Sequence, residues 1–455
     1  MKDLAENRAE ERKNGQQEKI PHPSFAQAVR FWLKLGFINF GGPTGQIAIM
    51  HQELVEKRRW VSEGRFLNAL NYCMLLPGPE AQQLAAYIGW LLHGIRGGII
   101  AGSFFIIPSM FILFGLSYLY VLHGNVPGIA AIFAGLKPAV MAVVLAAVIR
   151  IGKKTLKNPI MFSLAALSFA GIFLLKLPFP AIVLGAGLVG LLGGILLPTR
   201  FQIMRQHTAV DSEQGVVQIC QDPLACHINP SRNRGLLLLV SFGALWALPM
   251  LILAKLESMP VLKDVGLFFT QAAFLTFGGA YAVLAYLAQK AVEHYGWLTG
   301  LQMMDGLGLA ETTPGPLIMV VQFVGFLAGW NMPGSFSPVA AAVFSSLAAT
   351  YFTFLPSFFF IFMGAPYMER LRGNPRLTSI LSSITAAVVG VVLNLAVWFG
   401  MHVLLPPEGG LNWFGTVVGL ATFLAIQWAG LGIVMAILCS GGLGLAAYLT
   451  GVISI

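Results

Sequence analysis

The chain carries Phe40-Gly41-Gly42-Pro43 and Pro77-Gly78-Pro79, and 237 residues further on the same signatures return as Phe277-Gly278-Gly279 and Pro314-Gly315-Pro316. In that ungapped register Gln52 meets Gln289, Val55-Glu56 meets Val292-Glu293, and Trp60 meets Trp297. The spacing then changes to 248, at which Pro108-Ser109 meets Pro356-Ser357 and the run from Ala139 to Gly152 tracks Ala387 to Gly400. One unit has been duplicated in tandem.

The composition says where that unit lives. Of 455 residues, 56% are hydrophobic and 10% charged, against about 25% charged in a soluble domain. Apolar stretches follow one another from about residue 98 to 198 and again from 235 to 453, which excludes a soluble enzyme and predicts an all-α polytopic membrane protein. The formal charge of +9 is spread over short loops rather than one basic face, so it reads as a topology signal and not as nucleic-acid binding. Four cysteines are too few and scattered for a disulfide framework. Cys220, Cys226 and His227 sit together in a polar stretch without a fourth ligand, so no metal or other cofactor is expected.

The expected organisation is a polar cytoplasmic tail (1–24), a first transporter repeat (25–198), a polar cytoplasmic linker (199–234), an extra span (235–255) and a second repeat (256–455). The extra span has no partner in the first half and would invert the second. Loop charges agree with this. Lys57, Arg58, Arg59 and Arg150, Lys153, Lys154, Lys157 mark one side in the first half, where the turn 123–128 has no Lys or Arg. In the second half 294–296 and 402–408 lack them, and the turn matching 121–128 holds Arg370, Arg372 and Arg376. Positive-inside logic then gives the repeats opposite orientations, the inverted-repeat plan of many secondary transporters. Lys255 and Lys263 run against the pattern. The segments 63–76 and 80–93 are each about 21 Å of helix, too short to span roughly 30 Å of hydrocarbon. They read as half-helices meeting at Pro77-Gly78-Pro79, with a similar pair, 25–40 and 43–57, around Gly41-Gly42-Pro43. Counting these pairs as re-entrant leaves nine full crossings, with the N-terminus inside.

Broken helices inside a membrane are tolerated where they line a cavity or are buried in protein, and their N-terminal ends present N–H donors and a positive dipole end. The expected substrate site therefore comprises Gly41, Gly42, Pro43, Thr44, Pro77, Gly78 and Pro79 with Gly278, Gly279, Tyr281, Thr312, Thr313, Pro314, Gly315 and Pro316. Backbone N–H groups and hydroxyls there suit an oxyanion, although each hydroxyl could instead bond a local carbonyl. Asn68, Asn71, Gln82, Gln83 and Asp305 add polarity at the same breaks. Glu80 and Glu311 are the candidate proton carriers, with helix capping as their alternative role. Lys137 is a candidate counter-charge, or it snorkels to an interface.

These residues also carry a family resemblance. Phe40-Gly41-Gly42-Pro43 with His51, Glu56, Trp60 and Leu76-Pro77-Gly78-Pro79, repeated as Thr276-Phe277-Gly278-Gly279, Tyr281-Ala282-Val283, Gly296-Trp297 and Thr313-Pro314-Gly315-Pro316, closely resembles the two-domain chromate ion transporter (CHR) family. The likeness covers nearly the whole chain apart from the first 24 residues and the central linker. It implies a multi-pass carrier of the bacterial inner membrane that exports chromate, is driven by the proton-motive force and confers chromate resistance. Ala285 departs from the pattern, where proline is expected. Sulfate, which shares the charge and shape of chromate, is the alternative substrate. The expected partners are chromate or sulfate, protons and the lipid bilayer, with a homodimer as a candidate assembly. A membrane-embedded reductase is disfavoured, since no flavin, haem or nucleotide motif is present, and the chain is expected not to be an enzyme.

Overall fold

The computed structural model describes residues 22–201, 232–277, 279–367, 374–405 and 410–454, and these contain helices and no strand. The first half runs α1 (Phe25–Ile38), α2 (Gly42–His51, continued as a π-helix to Lys57), α3 (Glu63–Cys73), α4 (Glu80–His123), α5 (Pro127–Thr155), α6 (Pro159–Phe173) and α7 (Phe179–Leu196), with one further turn, α8 (Pro198–Phe201). After α9 (Arg232–Lys255) come α10 (Val261–Leu275), α11 (Ala280–Leu287, continued as a π-helix to His294), α12 (Gly300–Thr312), α13 (Val320–Asn331), α14 (Pro338–Gly364), α15 (Pro375–Leu404), α16 (Trp413–Gln427) and α17 (Ile433–Leu449). The sequence repeat is a structural repeat down to the π-helical turn after α2 and α11, and α9 has no counterpart.

Local chemistry sets the ends. Ser24 with Gln27 and Thr299 with Gln302 form capping boxes that open α1 and α12, satisfying N–H groups that have no partner within the helix. Pro127, Pro159, Pro338 and Pro375 open α5, α6, α14 and α15, where a missing N–H is harmless. The 44 residues of α4 would reach about 66 Å if straight, twice the membrane core. They do not, because His93 and Gly94 leave helical geometry, Gly94 at φ 62°. The first arm (residues 80–92) turns back along the second (residues 95–123), with Gly89 against Gly97 and Gly98 against the Ala86 carbonyl. In the second half the same hairpin is made by α13 and α14, where Gly329 lies on the Ala341 carbonyl.

The protein is a multi-pass membrane protein in which, among the described residues, six helices, α4, α5, α7, α9, α14 and α15, are long and apolar enough to cross a bilayer. The nine crossings expected from sequence also include α6, α16 and α17, which have 15, 15 and 17 residues and reach only about 22–26 Å. The linker cysteines, Arg370, Arg372 and Gly278 lie outside the described residues.

The two halves interlock. The hairpin α6–α7 packs on α15 of the other half, while α16–α17 packs on α5 of the first. Glycines make these crossings close: Gly135 of α5 faces the Ser440 carbonyl, Gly444 faces that of Ala131, and Gly390 of α15 faces that of Ala165. Lipid tails are as apolar as leucine, so helix association in a bilayer depends on this kind of tight packing. A side chain on either glycine must push a backbone away. Gly135→Leu and Gly390→Leu are each expected to destabilise the detergent-solubilised protein by about 1–3 kcal/mol. Gly185→Leu on α7, which meets nothing within 4 Å, should leave the thermal unfolding midpoint near wild type.

Candidate functional site

The four helix breaks meet as pairs, each break of one half against a break of the other. Helix α1 stops at Ile38 and leaves the Asn39 carbonyl beyond its end; helix α10 stops at Leu275 and leaves that of Thr276. Gly315 N–H donates to Asn39 O at 2.8 Å, and Gly78 N–H donates to Thr276 O at 2.9 Å. Both partners are related by the 237-residue spacing, so the contact is its own mirror under a pseudo-two-fold operation, as in an isologous dimer interface. The two glycines have φ of 106° and 129°, values that side chains rarely adopt. A Cβ on Gly78 would also lie 2.8 Å from Ser357 Oγ, and one on Gly315 2.8 Å from Ser109 Oγ. The serine contacts again exchange under the repeat, at 248.

Around this crossing lies a cluster of buried, uncharged polar side chains. Asn39, Gln46, Gln82, Gln83, Ser109 and Ser357 are all 2% exposed or less. Gln46 Nε2 donates to the Gly315 carbonyl at 2.5 Å, and Gln83 Nε2 to that of Pro77 at 2.7 Å. Both amide atoms of Asn39 and of Gln82, and the hydroxyls of Ser109 and Ser357, have no protein partner. An unsatisfied buried group costs about 1–3 kcal/mol, and six such atoms lie on residues at or near the paired breaks.

The residues expected from sequence divide into distinct groups. Pro77, Gly78, Pro79, Pro314, Gly315 and Pro316 are buried at the crossing, whereas Gly41 and Thr44 are exposed and Gly42 and Pro43 half-buried. The N–H groups of Gly78 and Gly315 are already engaged between the halves. Thr312 donates to the Gly308 carbonyl and Thr313 to that of Ala310, the local bonding that was their alternative. Tyr281 donates to Glu311 Oε1 at 2.8 Å, both being buried, and the Arg150 guanidinium on α5 acts on both. Glu80 opens α4 as its first residue, behind an N-terminus that no side chain caps. Lys137 Nζ lies 3.6 Å from Asp305 Oδ1, and Gly279 precedes α11 at φ 99°. Sequence reasoning missed Asn39, Gln46, Ser109 and Ser357 as site residues. The signal was present for the serines, since Pro108-Ser109 and Pro356-Ser357 place a polar residue after a mid-helix proline in both repeats.

The model of the chromate transporter family matches residues 26–191 and 263–445, more than half of the chain. The chain is 28% identical to the probable chromate transport protein of Synechococcus elongatus over 83% of its own length and 86% of that protein's. It is 31% identical to the chromate transport protein of Pseudomonas aeruginosa (82% and 81%), and 26% identical to that of Cupriavidus metallidurans (83% of each). No solved structure matches.

Because the serine hydroxyls bond nothing in the protein, removing them breaks no hydrogen bond. Ser109→Ala and Ser357→Ala are expected to be no less stable than wild type and to gain up to about 1–3 kcal/mol each as an unpaired buried hydroxyl is removed, whereas Gly78→Ala and Gly315→Ala should each lose roughly 1–3 kcal/mol through forced positive φ. Thermal unfolding of the four purified variants checks both halves of the contrast.

Proposed function

As the chain belongs to the chromate transporter family, we propose that it exports chromate from the cytoplasm across a bacterial inner membrane, coupled to protons, and so confers chromate resistance. The observation that carries this reading is the ring of unpartnered neutral groups at the crossing of the breaks: Asn39, Gln82, Ser109 and Ser357. Chromate is a tetrahedral dianion with four acceptor oxygens. Amide and hydroxyl donors satisfy such an ion without a fixed positive charge at the site, so binding is specific yet reversible. The free N–H groups at the start of α4 add the positive end of a helix dipole.

In this reading the repeats are inverted and the site alternates its access as one half rocks against the other about the paired glycine bonds. Glu80 and Glu311 handle the coupling protons. Glu311 is held by Tyr281 and lies within the influence of Arg150, and Glu80 lies within that of Lys154; a carboxylate in such a setting becomes neutral when it gains a proton and leaves the cation's charge uncompensated. Lys137 supplies long-range counter-charge from α5. The same donor set suits sulfate, which is the alternative substrate.

Chromate uptake into everted membrane vesicles tests the reading. Glu80→Gln and Glu311→Gln are expected to abolish the response to an imposed pH gradient; transport that still follows the gradient in both removes them from proton handling. Asn39→Ala and Gln82→Ala should each lose a hydrogen bond to a charged ligand, worth about 1.5–3 kcal/mol, or roughly 10- to 150-fold in apparent affinity. Sulfate that competes as well as chromate would make the carrier a general oxyanion transporter.

A further inference from the structure

Helix α5 is unusual in what it faces. Three of its four cations, Lys137, Arg150 and Lys154, act in turn on Asp305, Glu311 and Glu80, the last two at the helix breaks and the first about two turns from one. The Lys137–Asp305 contact is the one farthest from the α5 C-terminus and the most enclosed. Asp305 is 3% exposed and sits on α12, in the second half, whereas Lys137 and Tyr120 come from α5 and α4 in the first. Tyr120 donates to Asp305 Oδ2 at 2.9 Å, while Oδ1 accepts no hydrogen bond and faces the ammonium at 3.6 Å. The cluster has no twin. The repeat places Asn68 opposite Asp305, and Thr385 and Met368 opposite Lys137 and Tyr120, so a charged pair was installed on one side of an otherwise symmetric scaffold.

A buried ion pair adds little stability compared with apolar residues, but a buried charge without its partner is strongly disfavoured. Protonating Asp305 therefore leaves Lys137 as an uncompensated cation inside the membrane protein. Asp305 is eight residues before Thr313 on α12, about 12 Å from the crossing of the breaks along the helix, and a charge at that range in a low-dielectric interior acts on a dianion. Among the described residues Lys137 from α5 and Tyr120 from α4 are the titratable groups that face Asp305. Helix α13 presents Phe323 to the Tyr120 ring, and no charged group of α13, α15, α17 or the π-helical segment after α11 acts on the carboxyl.

We propose that Asp305 is a proton-binding residue of the transport cycle with Lys137 as its built-in counter-ion, so that a proton on Asp305 and a dianion at the central site favour one another. This rests on the reading of the centre as an oxyanion site. The sign is fixed by charge: the pair is neutral when Asp305 is ionised and carries one positive charge when it is protonated, so dianion binding tightens as pH falls. By reciprocity, dianion binding draws a proton onto the protein.

The test uses the full chain in lipid nanodiscs, with chromate as ligand, at about pH 6 and about pH 8. Equilibrium binding and proton uptake on chromate addition, read by an indicator dye, are measured together. Wild type is expected to bind on the order of tenfold more tightly at the lower pH and to take up protons. Asp305→Asn, a fixed mimic of the protonated carboxyl, should bind tightly at both pH values and take up fewer protons than wild type, the remainder belonging to Glu80 and Glu311. Lys137→Gln should bind weakly at both. Asp305→Asn combined with Lys137→Gln strands no charge, so it covers failure of a single variant to fold, and should bind weakly without pH dependence. Wild-type pH dependence retained in Asp305→Asn, or in the double variant, overturns the assignment. If wild type binds no chromate at either pH, the substrate reading fails instead. The proposal is then decided by infrared spectroscopy, in which a protonated-carboxyl band must titrate in wild type and be missing in Asp305→Asn.

Discussion

A helix that stops inside a bilayer leaves carbonyls and N–H groups that water cannot reach, and the pair of bonds from Gly315 to Asn39 and from Gly78 to Thr276 is how this fold meets that constraint. Each half supplies what the other lacks: the carbonyl beyond α1 is satisfied by the second Pro-Gly-Pro, and the carbonyl beyond α10 by the first. The two breaks in either repeat are therefore incomplete alone. This explains the close approach of the halves, which requires glycine at both positions and a small residue, Ser357 or Ser109, opposite each. The interlocked outer hairpins follow from the same logic, since α6–α7 on α15 and α16–α17 on α5 wrap each half around the other and hold the crossing in register.

On this symmetric frame the polar side chains are distributed unequally. The first repeat contributes Asn39, Gln46, Gln82 and Gln83 to the centre; at the matching 237-residue positions the second has Thr276, Val283, Met319 and Val320. The second repeat instead holds the carboxylates Asp305 and Glu311 on α12, where the first has Asn68 and Met74. Glu80 is the exception on the first side, opposite Leu317. Duplication supplied a repeated scaffold, and divergence placed most of the neutral polar side chains on one half and most of the acids on the other. A carrier needs both at once, because the ion to be moved and the charge that balances it cannot occupy one symmetric position.

How much of this could be read from the sequence follows from the range of the interactions. The duplication, the half-helices and the break at residues 77–79 are local or periodic features, and the helices end within a few residues of the expected positions. The turn at His93–Gly94 was implicit in the short apolar run of 80–93. The central donors were less legible. Gln82 stands beside the motif, but Asn39 looks like an ordinary helix-ending residue until its carbonyl is seen to meet Gly315. Ser109 and Ser357 look like helix-packing serines until Gly315, 206 residues from the one, and Gly78, 279 residues from the other, are placed opposite them. The exchange of outer hairpins is a long-range choice between two apolar surfaces, and hydrophobic pattern alone does not distinguish packing on the same half from packing on the other. Thr312 and Thr313 illustrate the reverse case, where a hydroxyl next to a motif serves its own helix.

The separation of neutral donors from charged pairs has a physical rationale of its own. A dianion held directly by arginine or lysine in a dry interior would be bound too tightly to leave, since Coulomb energies there are several times those at a surface. In the proposed site amides and hydroxyls would recognise it by geometry, while its charge would be balanced from a distance by cations that are already paired. Those pairs can be loosened in steps by protons. Helix α5 is placed to do this, because it faces the carboxylates of both repeats and is clasped by the C-terminal hairpin of the second. Although it belongs to the first half in sequence, α5 packs on α12, α15, α16 and α17 of the second, so the Lys137–Asp305 pair sits inside one packed unit.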